Sequence, residues 1–122
     1  MQHPTIVWID SKTARVFELA GDEFRRHVYH RDEPDHHVNP HTSRAGHYEA
    51  LFYHDVAGHL AGTDAVLVLG PGVAKDQFVH HVQQHHAELA RSIVAVEPSD
   101  HPSDAQLVAY ARKYFKPHHT ST

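Results

Sequence analysis

Val66-Leu67-Val68-Leu69-Gly70-Pro71-Gly72-Val73-Ala74-Lys75-Asp76-Gln77-Phe78 decides how the rest of the chain is read. Ala65 to Leu69 is a continuous apolar run bounded by turn residues, the pattern of a strand covered on both faces. Two glycines around a proline stop it, and a charged residue and an aromatic follow at helical spacing. The spacing predicts a buried strand, a tight turn and a helix from about Val73 to Leu89. Phe78, Val79, Val82 and Leu89 face inward on that helix, and His86 sits on the same stripe. Downstream, Ile93 to Val96 is a further apolar strand, and Ser99 to Pro102 turns the chain. Ser103 and Gln106 have capping-box spacing, with Ser103 as N-cap. Leu107, Val108, Ala111 and Tyr114 or Phe115 form the buried side of a last helix.

Upstream, Ile6 to Asp10 reads as a strand, Ser11-Lys12-Thr13 as a turn and Ala14 to Leu19 as its hairpin partner. After Ala20-Gly21-Asp22, Phe24 to His30 alternates as a third strand, completing an antiparallel meander. Arg31 to Arg44 has no apolar period. It is a polar loop of about 14 residues, and loops of that length are usually functional or disordered. A helix starts at Ala45 or Gly46, with Tyr48, Leu51, Phe52, Val56 and Leu60 as its stripe. The order β-β-β-α-β-α-β-α predicts an α/β fold with a ribonuclease-H-like mixed sheet and helices on its faces. Residues 1–122 read as a single domain with a loop at 31–47 and a polar tail at 116–122.

Composition narrows the chemistry. The chain has 122 residues, of which 40% are hydrophobic, enough for one core. It has no cysteine, which excludes disulfides and thiolate metal sites. No apolar stretch follows a basic N-terminal segment, and no apolar run approaches the roughly 20 residues that cross a bilayer. A soluble, cytoplasmic protein with no membrane partner is the expectation. Net charge is −4 with histidine neutral, so the chain lacks the overall basic character of a nonspecific phosphate binder. Its 16 histidines add positive charge in mild acid.

In order along the chain, the opening Ile6-Val7-Trp8-Ile9-Asp10 through Phe17-Glu18-Leu19, the long polar loop, Gly70-Pro71-Gly72 with Lys75 and Phe78, and Ile93-Val94-Ala95-Val96 resemble the middle domain of the archaeal and eukaryotic peptide-chain release factors and their relative pelota. The chain is also similar to small bacterial proteins labelled translational machinery protein, through Asp100-His101-Pro102-Ser103-Asp104 and Val108-Ala109-Tyr110-Ala111-Arg112-Lys113-Tyr114-Phe115. The resemblance implies a partner in the ribosome or tRNA. In release factors the loop carries Gly-Gly-Gln, which orients water at the peptidyl-tRNA ester. Here the corresponding stretch is His36-His37-Val38-Asn39-Pro40-His41-Thr42-Ser43-Arg44-Ala45-Gly46-His47, and Gly-Gly-Gln occurs nowhere in the sequence. Pelota lacks the motif too and acts by binding, so the resemblance implies a noncatalytic role.

Five constellations carry candidate chemistry. His36, His37, His41, Arg44 and His47 are the residues for RNA phosphates and unpaired bases, although Asp32, Glu33 and Asp35 dilute their charge. His81 and His85, four apart on a helix, are a candidate pair for Zn²⁺ if a third ligand arrives from elsewhere, and no glutamate follows the first histidine as in metalloproteases. Asp10 with Glu49 or Asp55 would suit a two-metal nuclease, but the fourth strand ends in Gly70 where an acid is needed. Backbone N–H groups at Gly70 and Gly72, assisted by Lys75, are a candidate anion site, although the spacing is not that of a nucleotide-binding loop. Ser99-Asp100-His101 are adjacent and cannot converge as a nucleophilic triad, so a turn and helix cap explain them. The sequence therefore points to a noncatalytic, ribosome- or tRNA-binding protein with no assigned catalytic residue and no required cofactor. A histidine-based Zn²⁺ binder, a nuclease-like hydrolase and a homo-oligomeric scaffold are the alternatives.

Overall fold

The computed structural model describes residues 4–31 and 44–116, with backbone alone over 44–47. Among the described residues the strands are β1 (Thr5–Ile9), β2 (Thr13–Ala20), β3 (Glu23–His30), β4 (Val66–Gly70) and β5 (Ile93–Pro98). The helices are α1 (Arg44–Leu60), α2 (Ala74–His85), α3 (Ala87–Ala90) and α4 (Asp104–Tyr114). The strands form one sheet in the order β3-β2-β1-β4-β5. β1 to β3 pair antiparallel, and β4 pairs parallel with both β1 and β5. This is the mixed α/β sheet that the element order predicts.

The apolar run at 66–69 shows why the sheet sits in the middle. Val66 and Val68 join one buried cluster with Val7, Ile9, Val16 and the inward residues of α1 and α2. Leu67 and Leu69 join the other, with Ile6, Trp8, Phe17 and the inward residues of α4. Successive side chains of a strand point to opposite faces, so a strand covered by helices on both sides must be apolar at every position. The sheet thus lies between α1 and α2 on one face and α4 on the other. β3 is an edge strand and carries Arg25, Arg26 and His27, charge of the kind that discourages further strand pairing.

Gly70 ends β4 where it meets β1. Its φ is +159°, and a Cβ placed there would lie 2.0 Å from the Ile9 carbonyl oxygen. Only glycine lets the two backbones approach that closely. Gly72, at φ +60°, makes the left-handed step that leads into α2.

Three sequence expectations need correction. The predicted helix from Val73 to Leu89 is two helices, because His86 adopts φ −140° and ψ 62° and breaks the ladder. Of the expected α1 stripe, Phe52, Val56 and Leu60 are buried, joined by Tyr53 and Ala57, while Leu51 is 43% exposed. A one-residue rotation of the stripe separates the two readings, and the apolar residue pattern alone fits both. α1 begins at Arg44, just before the Ala45 or Gly46 expected, so residues 44–47 of the 31–47 segment form its first turn. Gly46 costs a helix about 1 kcal/mol relative to alanine, and the buried stripe downstream outweighs it.

The last helix follows its sequence signals. Ser103 Oγ accepts from the Gln106 N–H at 3.1 Å and Gln106 Oε1 accepts from the Ser103 N–H at 2.8 Å, a complete capping box. Leu107, Val108 and Ala111 are buried. The start of α4 is tied to the sheet by side chains far apart in sequence. Trp8 Nε1 donates to the Asp100 carbonyl at 2.7 Å. Asp104 takes Arg15 at 2.8 Å and Arg26 at 2.6 Å, and the Arg15 guanidinium lies 4.5 Å from the centre of the Trp8 ring. Burial works to raise the Asp104 pKa, and the two arginines overcome it and hold the carboxyl below its ordinary value.

Candidate functional site

The direction of the strands gathers one group of features. β1, β3, β4 and β5 all end at the same edge of the sheet. That edge carries the β1–β2 turn, the segment leaving β3, the Gly70-Pro71-Gly72 turn and the start of α2. In open α/β sheets, ligands favour the carboxyl ends of the strands. A cleft of about 320 Å³ lies here, lined by Asp10, Gly72, Val73, Gln77 and His101 among others. The segment that leaves β3 is anchored at this edge. The Arg31 N–H donates to the Lys12 carbonyl at 2.8 Å, and its guanidinium lies 3.4 Å from the Ser11 carbonyl and 3.8 Å from Glu49.

Of the RNA-binding candidates, His36, His37 and His41 lie outside the described residues. Arg44 and His47 fall in the first turn of α1, described as backbone only. The loop's two roots, at Arg31 and at the start of α1, are therefore what the structure shows of it.

The Asp10 carboxylate is engaged in its turn, accepting from the N–H groups of Lys12 at 2.9 Å and Thr13 at 2.7 Å. This is the side-chain-to-backbone closure that makes aspartate a turn residue. Its other oxygen lies 3.7 Å from His101 Nε2. Glu49 lies 3.5 Å from the Tyr53 hydroxyl, and Asp55 is exposed. Burial, and then the Glu49 charge, push the Tyr53 phenol up to about 12. Among the described residues no metal-sized cluster joins Asp10 to Glu49 or Asp55.

At the glycine turn, Lys75 Nζ donates to the Gly72 carbonyl at 2.5 Å and lies 3.5 Å from the Asp76 carboxylate. The ammonium is thus turned onto its own turn and helix, and Gly70 is fixed by the approach of Ile9. These contacts place the three residues of the anion candidate without requiring an anion.

The histidine pair is rearranged. His85 is exposed, and its ring packs against His81 with centroids 4.7 Å apart. The atoms that converge with a nitrogen of His81 belong to His54 on α1 and His86 at the end of α2, all within 4.8 Å of one another. Sequence spacing favoured His85 because i and i+4 share a helical face. The helix ends at His85, and His86, at φ −140° and ψ 62°, leaves the helical path with its ring beside that of His81, centroids 5.5 Å apart. His54 was invisible in this role because nothing local encodes how α1 lies on α2. A second group joins Glu18, His27 and His59. There His59 bridges the Tyr29 hydroxyl, 2.5 Å from Nδ1, and Glu18, 2.6 Å from Nε2.

No protein-family model matches the sequence, and no curated protein matches it. Solved structures do match. Pelota from Archaeoglobus fulgidus superposes with a TM-score of 0.67 at 15% identity, covering 93% of this chain and 31% of that one. Pelota from Thermoplasma acidophilum gives 0.62 at 19% identity, covering 92% and 32%. An archaeal translation termination factor gives 0.66 at 16% identity, covering 98% and 36%. This chain spans about a third of the length of each of these proteins. At such identities the likeness is one of architecture: the chain has the fold of a domain found in pelota and in an archaeal translation termination factor.

Proposed function

We propose that this protein is a noncatalytic translation-associated protein that binds the ribosome or tRNA through its 31–47 segment, without Gly-Gly-Gln peptide release. The observation that carries this reading is the fold it shares, over nearly its whole described length, with pelota and a translation termination factor. The polar segment leaves the sheet at the edge where the parallel strands end, and Arg31 braces its root against the β1–β2 turn and α1. His36, His37, His41, Arg44 and His47 supply the phosphate and base contacts in this reading. The absence of Gly-Gly-Gln from the sequence argues against water positioning at an ester. The engagement of Asp10 in its turn argues against a two-metal nuclease.

Co-sedimentation with purified ribosomes tests the proposal. The wild-type chain should pellet with ribosomes at low salt, less so as salt rises. Replacing residues 32–43 with a glycine-serine linker of equal length should abolish pelleting while leaving the fold intact. A wild-type chain that stays in the supernatant at low salt overturns the reading.

A further inference from the structure

We propose that His54, His81 and His86 form a binding site for one Zn²⁺ ion, clamping α1 to the end of α2. The site stands apart from the strand edge that carries the translation reading and does not depend on it.

The argument begins with two orphaned atoms. His81 Nε2 and His86 Nε2 are buried and have no hydrogen-bond partner. A buried polar atom left unpaired is costly, and native structures usually satisfy it. Both residues belong to a group whose third member, His54, approaches from a different helix. Its ring centroid is 5.1 Å from that of His86. Three imidazoles with open nitrogens are a donor set for a borderline divalent cation, and zinc binds three histidines plus water at about 2.0–2.1 Å. Tetrahedral nitrogens then sit roughly 3.4 Å apart. Binding of the ion would draw the three nitrogens, now within 4.8 Å of one another, closer together. His54 is exposed, which leaves a solvent-facing side for the fourth ligand.

The surroundings favour a cation. The site lies at the C-terminal end of a 12-residue helix, the negative pole of its dipole. Burial, followed by the neighbouring histidines, lowers the pKa of both His81 and His86. The Glu18, His27 and His59 group makes the contrast. Both ring nitrogens of His59 are already engaged, by Tyr29 and Glu18, and a metal would have to break one of those contacts.

With 16 histidines, weak adventitious binding is expected, so the test must separate one site from many. Metal-stripped full-length protein is titrated with Zn²⁺ by calorimetry and with Co²⁺ by visible absorption. The wild type should show one tight equivalent with an intense, tetrahedral Co²⁺ spectrum, and its melting temperature should rise with Zn²⁺. His54→Ala and His86→Ala should each weaken that equivalent roughly 100-fold or more and abolish the melting shift. His80→Ala and His101→Ala, at exposed histidines, should change neither. His54 is itself exposed, so its variant keeps the fold, and circular dichroism checks this. No tight equivalent in the wild type, or the same loss in the control variants, overturns the proposal.

Discussion

Gly70 carries a constraint that no neighbouring residue shares. A β-carbon there would overlap the Ile9 carbonyl, which is backbone in the central strand and cannot swing aside. Gly70→Ala should therefore destabilise the protein by about 1–3 kcal/mol, the range of a steric conflict in a packed core. Urea unfolding followed by the fluorescence of Trp8, the single tryptophan, measures it. An alanine variant of undiminished stability would mean that β4 and β1 separate freely at this point. The sequence marks Gly70 as a turn residue because it ends an apolar run beside Pro71. That the turn also abuts β1 is tertiary information. The same limit applies to Asp10, whose role in the hairpin follows from its type and position, whereas its closeness to His101 comes from chain 91 residues away.

At the scale of elements, local chemistry predicts where α4 begins. Ser103 and Gln106 satisfy each other's backbone N–H groups, and the following apolar residues are those that are buried. Ser103→Ala should cost about 0.5–2 kcal/mol, with little effect on the rest of the fold. A lowered urea midpoint at constant slope is the expected signature, and an unchanged midpoint would show the cap to be redundant. The strands were legible for a similar reason. The unbroken apolar run of β4 reports burial on two faces, and in β2 the adjacent Val16 and Phe17 are buried on opposite faces. The end of α2 was not legible. His86 lies on a stripe that continues in register to Leu89, and periodicity has no term for a single residue that leaves the helical region. The histidine group depends on that departure and on a ring from α1. Spacing singles out His81 and His85, whereas the nitrogens that lie within 4.8 Å of one another belong to His54, His81 and His86.

Over the whole molecule, α4 is held by charge as well as by apolar contact. Asp104 has a carboxyl pKa below its ordinary 3.8 because Arg15 and Arg26 flank it. A carboxyl depressed in the folded state binds fewer protons than in the unfolded chain between the two values. Its stabilisation is thus complete above the unfolded value and is lost as pH falls below about 4 through the folded value. Asp104→Asn should lower stability at pH 7 and make its loss below pH 4 shallower, measured as melting temperature against pH. An acid limb of wild-type steepness in the variant would assign that limb to other carboxylates. The same topology constrains synthesis. β1 ends at Ile9, yet its second neighbour, β4, is complete only at residue 70, and the helix that covers its other face starts at residue 104. A nascent chain emerging from the peptide exit channel must hold its opening meander with one flank unpaired and apolar side chains bare until the late segments arrive. Co-translational chaperone contact should therefore concentrate on the interval before α4 has been extruded.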